Sequence, residues 1–451
     1  MIRLVILQES ADTLWNHLAL YAPLETGAFC LLREGRGTNG VRLLAGEIIL
    51  PDPDAWELQG EGVLRPTARW ISTAISRAIT GRAGLLFIHS HPDAAFPPGL
   101  SSADRGAFLA LASTLAPMLD GPFAAAVVHP EGWAGMLWSD GRLRPIERIV
   151  SVGRTIHFLS SVRPAEDSPL DSRQRDALGV IQDRLRPLTV AVVGCGGLGS
   201  PIAEQLTRIG IAELVLIDHD KLDTPSNVRR VFGSTAADLR ATPLRPKVDV
   251  VGRHLDQLGL GVVVRRVDGD VRTEGVFRTL LDADLVLTGT DTHGSRAVVN
   301  DLASTYLLPV IDVGTRVGDR NGLLSGLVAE VRVLTPVTPC LWCRQTLNGS
   351  VIRIENLPER ERQQLAREGY SVGRVGEPEP SVIALTVLGS GLATCAMLAL
   401  LAEDGEVVSP GYLVDGFFGD AHQMKPKEPI PACRCRMNLG LGDTAAPPFI
   451  D

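Results

Sequence analysis

The sequence predicts an α/β protein built as two units, a mixed α/β unit followed by a doubly wound parallel sheet. Three observations carry that reading. The chain has 451 residues, more than one core of ordinary size organises. Its opening part alternates short apolar runs with amphipathic helical stretches, punctuated by glycine and proline. From Leu188 onward the order becomes strand, helix, strand at regular spacing, the mark of βαβ units.

In the first unit, strands are expected at Ala28 to Leu32, Arg42 to Leu50, Gly84 to Ile88 and Phe123 to Val128, and helices at Ala11 to Leu20 and Thr67 to Thr80. A mixed-charge stretch with Pro164 and Pro169 then breaks the pattern. The expected division is therefore 1–158, a linker at 159–170, and 171–451. In the second unit, Thr189 to Val193, Glu213 to Ile217, Asp284 to Leu287 and Val310 to Val313 read as strands, with a helix at Ser200 to Ile209.

Composition excludes several function classes. Hydrophobic residues make up 45% and charged residues 21%, the balance of a folded soluble chain. A net charge of -8 leaves no basic face for nucleic acid, so a protein or nucleotide partner is expected. The apolar start, Met1 to Leu7, is too short for a signal peptide, and the cytoplasm is the expected compartment. Val382 to Ala402 meets the length rule for a membrane span. Its acidic flanks (Glu377, Glu379, Glu403, Asp404) and many small residues predict instead a buried, close-packed helix and no membrane.

Of seven cysteines, Cys340, Cys343, Cys433 and Cys435 form two short clusters far apart in sequence. In a reducing compartment such pairs read as a structural zinc site. Cys30, Cys195 and Cys395 lie among apolar or small residues and read as packed thiols.

A catalytic metal site is expected at His89-Ser90-His91-Pro92 and Ser101 to Asp104. Two histidines two apart on a strand face the same way, and Ser101 is placed to cap the helix that carries Asp104. Two histidines, a carboxylate and an open position make the catalytic zinc pattern. Glu25, leading into an apolar strand, is the candidate base, and Ser101 a candidate donor to an oxyanion. This arrangement resembles the JAMM (MPN+) metalloproteases, with their upstream Glu, His-x-His-Pro and Ser-x-x-Asp. The resemblance implies a cytidine-deaminase-like fold, zinc on His89, His91 and Asp104, Glu25 as general base, and Ser101 stabilising the tetrahedral intermediate. It implies amide hydrolysis after the C-terminal Gly of a ubiquitin-like protein. The spacer from His91 to Ser101, through Pro97-Pro98-Gly99, is longer than in that family.

The second site begins at Val192-Val193-Gly194-Cys195-Gly196-Gly197-Leu198-Gly199, a strand entering a glycine turn that suits a phosphate. Asp218, at the end of the next strand, sits where a ribose is bound in a Rossmann-like site. Then come Asp220, Ser226 to Arg230, Pro246-Lys247 and Gly289 to Arg296. Arg230 and Lys247 suit a triphosphate, and Asp291 suits magnesium. From about Arg173 onward this is similar to the ThiF-like adenylating enzymes and the ubiquitin-activating enzymes, with both cysteine clusters in order. The resemblance implies ATP and Mg2+ as ligands, ribose on Asp218, phosphates on Asn227, Arg230 and Lys247, magnesium on Asp291, and Arg173 reaching the phosphates of a partner subunit in a homodimer. The partner it implies is a ubiquitin-like or sulfur-carrier protein ending in Gly, together with a conjugating enzyme in the first case. A non-catalytic scaffold for ubiquitin-like proteins is the rival of another class. Two departures stand out: one extra residue between Asp220 and Asn227, and no cysteine in Arg344 to Pro380, whose hydroxyls include Thr346, Ser350, Tyr370 and Ser371.

Overall fold

A computed structural model of the chain describes residues 1–93, 99–161, 168–368, 380–402, 409–425 and 427–448. Pro97 and Pro98, the centre of the expected linker, Tyr370, Ser371 and the acids Glu377, Glu379, Glu403 and Asp404 lie outside the described residues. Two compact units emerge. The first comprises Met1–Arg163 with Thr305–Leu307 and Asn438–Pro447, and the second the remainder.

The first unit is a nine-stranded sheet in the order β11-β10-β1-β3-β2-β6-β7-β8-β9. Its strands are β1 (Ile2–Leu7), β2 (Gly27–Arg36), β3 (Val41–Ile49), β6 (Gly84–Ser90), β7 (Phe123–His129), β8 (Gly132–Ser139), β9 (Arg142–Pro145), β10 (Arg148–Val152) and β11 (Ile156–Phe158). A separate hairpin pairs β4 (Trp56–Gly60) with β5 (Val63–Pro66). Alternation along each strand feeds two cores. Ala28, Cys30 and Leu32 of β2, with Leu86 and Ile88 of β6, pack beside Ala11, Leu14 and Leu18 of helix α1 (Gln8–Ala19). Phe29, Leu31 and Leu85 face the other way, onto Trp70 and Ala74 of α2 (Ala68–Thr80) and Phe108 and Ala112 of α3 (Ser102–Leu115). Helices thus cover both faces of the sheet. The expected strands and helices lie within these elements or overlap them closely. β1 and β8 to β11 were not among the expected strands.

The second unit is an eight-stranded sheet ordered β14-β13-β12-β15-β16-β17-β18-β19. The strands are β12 (Thr189–Val193), β13 (Glu213–Asp218), β14 (Val263–Asp268), β15 (Leu285–Thr288), β16 (Val310–Arg320), β17 (Leu323–Leu334), β18 (Gly411–Asp415) and β19 (Asp420–Gln423). β14 through β16 run parallel, as expected. The expected all-parallel sheet is corrected at its far side, where β16 to β19 pair antiparallel. Residues 314–334 hold a long hairpin whose first arm and turn, Gly314 to Gly322, are rich in glycine and charged residues.

The helices of this unit include α4 (Gly199–Ile209), α5 (Lys247–Leu258), α6 (Glu274–Leu280), α7 (His293–Asn300) and α8 (Ile383–Leu400). α8 is long and apolar enough to cross a membrane, yet half of it is buried here, against α4, β16 and β17. Gly389 lets it approach Leu198 and Val313, and the Ser390 hydroxyl donates to the Leu198 carbonyl. The helix is not buried all round, however: Ile383, Val387 and Cys395 are exposed. That corrects the packed-thiol expectation for Cys395, whereas Cys30 and Cys195 are fully buried.

Candidate functional site

In the first unit, strand register brings four sequence-distant groups together. β2 lies antiparallel to β6 with Gly27 opposite His89. His91, just past β6, is fixed by its amide donating to the Val128 carbonyl at 2.9 Å. Glu25 is held in front of β2 by the β4–β5 hairpin: its amide donates to Gly60 O at 3.1 Å, and Gln59 Nε2 donates to its carbonyl at 3.0 Å. Asp104 enters from the first turn of α3 through a capping box, with Ser101 Oγ accepting from Asp104 N and Asp104 Oδ2 accepting from Ser101 N at 2.8 Å.

The distances are those of a metal tetrahedron. His89 Nε2 and His91 Nε2 are 3.2 Å apart, and Asp104 oxygens lie 3.4 Å from the first and 3.3 Å from the second. Zinc bonds of about 2.0–2.1 Å give tetrahedral edges of roughly 3.3–3.4 Å, so one ion fits all three ligands. Glu25 Oε1 stands 3.8 Å from His91 Nε2. Burial raises the Glu25 carboxyl, opposed by the charges of His91 and His89, which suits a proton acceptor. Burial alone would also raise Asp104, but hydrogen bonds from His89, His91 and Ser101 outweigh it and hold that carboxyl well below the usual range. Ser101 Oγ–H donates to Asp104 Oδ2 at 2.6 Å, so in this state the expected oxyanion donor is engaged with the carboxylate it caps.

The four clustered cysteines also converge. Sγ separations are 3.6 Å for Cys340–Cys343, 3.6 Å for Cys340–Cys433 and 3.7 Å for Cys343–Cys435. Zn–S bonds of about 2.3 Å give edges of roughly 3.8 Å, so the cluster has the size of a zinc tetrahedron. A hydrogen bond from Cys435 draws the Cys340 thiol down to about 5, against the effect of burial, whereas burial pushes Cys433 up to about 11.

The second unit opens a cleft of about 460 Å³ at the carboxyl ends of β12, β13, β15 and β16. β12 is flanked by β13 on one side and β15 on the other, so the cleft sits where strand order reverses, the usual ligand crevice of open α/β sheets. Gly194, Gly196 and Gly197 line it. Gly194 has φ +88°, and a Cβ on Gly199 would strike the Gly194 carbonyl, so Gly199 closes the turn without lining the cleft. Asp218 accepts from Cys195 N at 2.6 Å and from Asp220 N at 2.8 Å, so the backbone of the glycine turn is anchored on this carboxylate.

Asp220, Asn227, Arg230, Lys247 and Asp291 all line the cleft. Lys247 Nζ pairs with Asp220 Oδ2 at 2.6 Å. Burial would lower its ammonium, but Asp218, Asp220 and Asp291 outweigh this and raise it. Arg230 donates to Asn227 Oδ1 at 3.1 Å. Arg173 is exposed on the helix Ser172–Leu178, outside the residues that line the cleft. Sequence reasoning assigned no role to the lining residues His293 and Arg296, although both fall in the Gly289 to Arg296 motif. It missed Glu355 altogether, whose carboxylate accepts from His293 N at 3.0 Å and Gly294 N at 2.7 Å. No local motif marks a lone Glu at the end of a short helix.

The ThiF family model matches residues 171–435, and with them every cleft residue named above and all four clustered cysteines. The chain belongs to the ThiF family. Relatives include the sulfur carrier protein ThiS adenylyltransferase of Bacillus subtilis, 30% identical over 162 residues, covering 36% of this chain and 45% of that protein. The ubiquitin-like modifier-activating enzyme 5 of Drosophila willistoni is 27% identical over 270 residues, 57% of this chain and 60% of that protein. The SAMP-activating enzyme E1 of Haloferax volcanii is 27% identical over 162 residues, 36% and 55% respectively. This ThiF protein thus spans between 45% and 60% of the length of these relatives. Among solved structures, the E. coli MccB complex with succinimide matches with TM-score 0.45 at 18% identity, covering 60% of this chain and 74% of that one.

Proposed function

We propose that the second unit adenylates the C-terminal carboxylate of a small ubiquitin-like or sulfur-carrier protein ending in Gly, at the expense of ATP. The observation that carries this reading is the convergence of the glycine turn, Asn227, Arg230, Lys247 and Asp291 on one cleft in a ThiF-family chain. The partner's carboxylate oxygen attacks the α-phosphorus of ATP, the bond from that phosphorus to the bridging oxygen breaks, and pyrophosphate leaves. Amides of the glycine turn, Arg230 and Lys247 stabilise the negative charge that builds on the phosphates. Asp291, exposed on the cleft wall, would hold magnesium, which would supply further charge neutralisation. Asp218 keeps the glycine turn in shape and lines the same cleft, and in this reading it also binds the ribose. As part of the same proposal the chain works as a cytoplasmic homodimer, with Arg173 reaching the phosphates of the partner copy.

The test is ATP–pyrophosphate exchange with purified full-length protein and candidate carriers. Exchange that depends on a ubiquitin-like protein with an intact C-terminal Gly supports the reading; no exchange with any such protein would turn it towards a scaffold. Transfer of the activated carboxyl to a conjugating enzyme marks a conjugation pathway, and transfer to a sulfur donor marks a sulfur carrier.

A second reading, zinc-dependent amide cleavage after the same C-terminal Gly, is favoured by the tetrahedral spacing of His89, His91 and Asp104. A zinc ion on these ligands supplies Lewis acidity, acidifying water and polarising a carbonyl. Glu25 takes the proton of the attacking water and returns it to the leaving amine. Ser101 orients Asp104, and can serve an oxyanion only by exchanging that hydrogen bond. One chain would then trim or release a ubiquitin-like protein and activate the terminus it exposes, the covalent link raising the effective concentration of product at the second site.

A further inference from the structure

We propose that Asn300 and Asp301 couple the four-cysteine cluster to the nucleotide cleft, so that zinc at the cysteines and ATP in the cleft strengthen each other's binding. The inference rests on the adenylation reading, because it takes ATP as the ligand of the cleft. It goes beyond a structural zinc that merely staples the chain.

The link is one helix, α7. Its first turn belongs to the cleft, where Thr292, His293, Ser295 and Arg296 line the wall. Its other end, about 12 Å away at 1.5 Å per residue, meets the cysteines. Asn300 is 1% exposed, and its Oδ1 accepts from the amide of Leu341 at 2.7 Å. Leu341 lies between Cys340 and Cys343. The Asn300 amide also donates to Asp301 Oδ1 at 3.2 Å. Asp301, 5% exposed, pairs through Oδ2 with Arg434 Nε at 2.9 Å. Arg434 lies between Cys433 and Cys435. Each cysteine pair is therefore fastened through an interior residue to the same helix end.

The chain leaving Cys343 then returns to the start of α7. Asn348 donates its amide to His293 Nδ1 at 3.2 Å, and Glu355 caps His293 and Gly294. Segment 341–355 thus holds α7 at both ends. An ion that gathers the four sulfurs fixes the separation between the Leu341 amide and the Arg434 guanidinium, and with it the seat of Asn300 and Asp301. A buried helix moves as a body, so the seat at one end sets the position of His293 and Arg296 at the other. Zinc and ATP both favour the seated position, and linkage requires their effects to be equal in both directions.

The experiment uses the full-length chain carrying His89→Ala, which removes a ligand of the histidine site, and the zinc bound at the cysteines is counted as the part lost in Cys340→Ser. Zinc affinity is measured by equilibrium competition with a chromogenic chelator, with and without magnesium-saturated ATP. ATP affinity is measured with and without zinc. ATP is expected to tighten zinc by roughly fivefold or more, and zinc to tighten ATP by the same factor, the usual size of a coupling between sites. Asp301→Asn and Asn300→Ala should still bind both ligands, with the factor falling towards one. If Asn300→Ala fails to fold, Asp301→Asn decides, since it keeps the shape and removes only the charge facing Arg434. An unchanged factor in the folded variants, or ATP affinity indifferent to zinc in the parent, overturns the coupling while leaving adenylation standing. A parent protein that binds no ATP overturns both.

Discussion

Lys247→Ala separates catalytic electrostatics from stability. The ammonium is the first residue of α5, where the helix dipole disfavours a cation by about 0.3–1 kcal/mol. Its side chain is only 12% exposed, and it faces Asp220 at 2.6 Å with Asp218 and Asp291 near. Asp220 is 53% exposed, so the pair is screened and contributes no more than about 1 kcal/mol to folding. Against phosphate charge developing inside the cleft, one pre-organised donor is worth about 10²–10³ in rate, or about 2.7–4 kcal/mol. Lys247→Ala should therefore lower ATP–pyrophosphate exchange by about two to three orders of magnitude while shifting the urea midpoint little. The two measurements are made on one preparation. Lys247→Arg should not restore the rate, because a planar fork does not replace a point donor in that space. A loss of exchange below tenfold, or a stability loss as large as the activity loss, would refute the assignment.

His89→Ala and Asp104→Ala should each remove one zinc equivalent and leave exchange intact, as metal analysis of the purified variants would show; full zinc in both removes the metal centre. Glu25→Gln should keep that zinc but lower cleavage of a ubiquitin-like fusion by roughly 10²–10⁴, the range of a general base, whereas zinc loss would make Glu25 a ligand. Phe277→Ala in α6, fully buried in the second unit, should cost about 3–5 kcal/mol in urea denaturation, and a cost below 1 kcal/mol would mean a poorly packed core. With ATP and carrier present, no adduct that vanishes on adding reductant should form on Cys395; a band lost both with reductant and in Cys395→Ala would make that thiol the acceptor.

What the sequence made legible is what local chemistry dictates. Period-two alternation around Ala28 and Leu86 and the apolar strands from Thr189 to Val313 marked the two sheets, because their side chains have no choice of face. The site residues were legible wherever function forces an unusual local pattern: glycines where a Cβ cannot fit, histidines two apart, paired cysteines. The antiparallel extension from β16 to β19 was not read, since the glycine and charged stretch from Gly314 to Gly322 interrupts the apolar run before the alternation at Ala329, Val331 and Val333 resumes. Glu355, Asn300 and Asp301 were invisible for another reason. Each acts through a partner more than forty residues away in sequence, and a lone Glu, Asn or Asp has no local signature for such a bond.

Cys395 shows how burial read from composition misleads. A thiol amid Ala, Thr and Leu looked packed, yet α8 buries only one face and Cys395 lies on the other. Exposure therefore gives no ground for expecting Cys395 to stay unacylated. Distance does. Thr386 marks where α8 borders the cleft, and Cys395 is nine residues further along, about 13 Å at the rise of an α-helix. An acyl-adenylate held by the glycine turn and Lys247 cannot present its carbonyl to a sulfur that far away without leaving the residues that hold its phosphate, and a carbonyl must come within about 3–3.5 Å of its nucleophile to react. Arg344 to Pro380 offers no thiol either. The adenylation reading therefore predicts no thioester on this chain: the activated carrier stays as a held adenylate, or attaches through a hydroxyl of the 344–380 segment such as Thr346 or Ser350 as an ester that resists reductant.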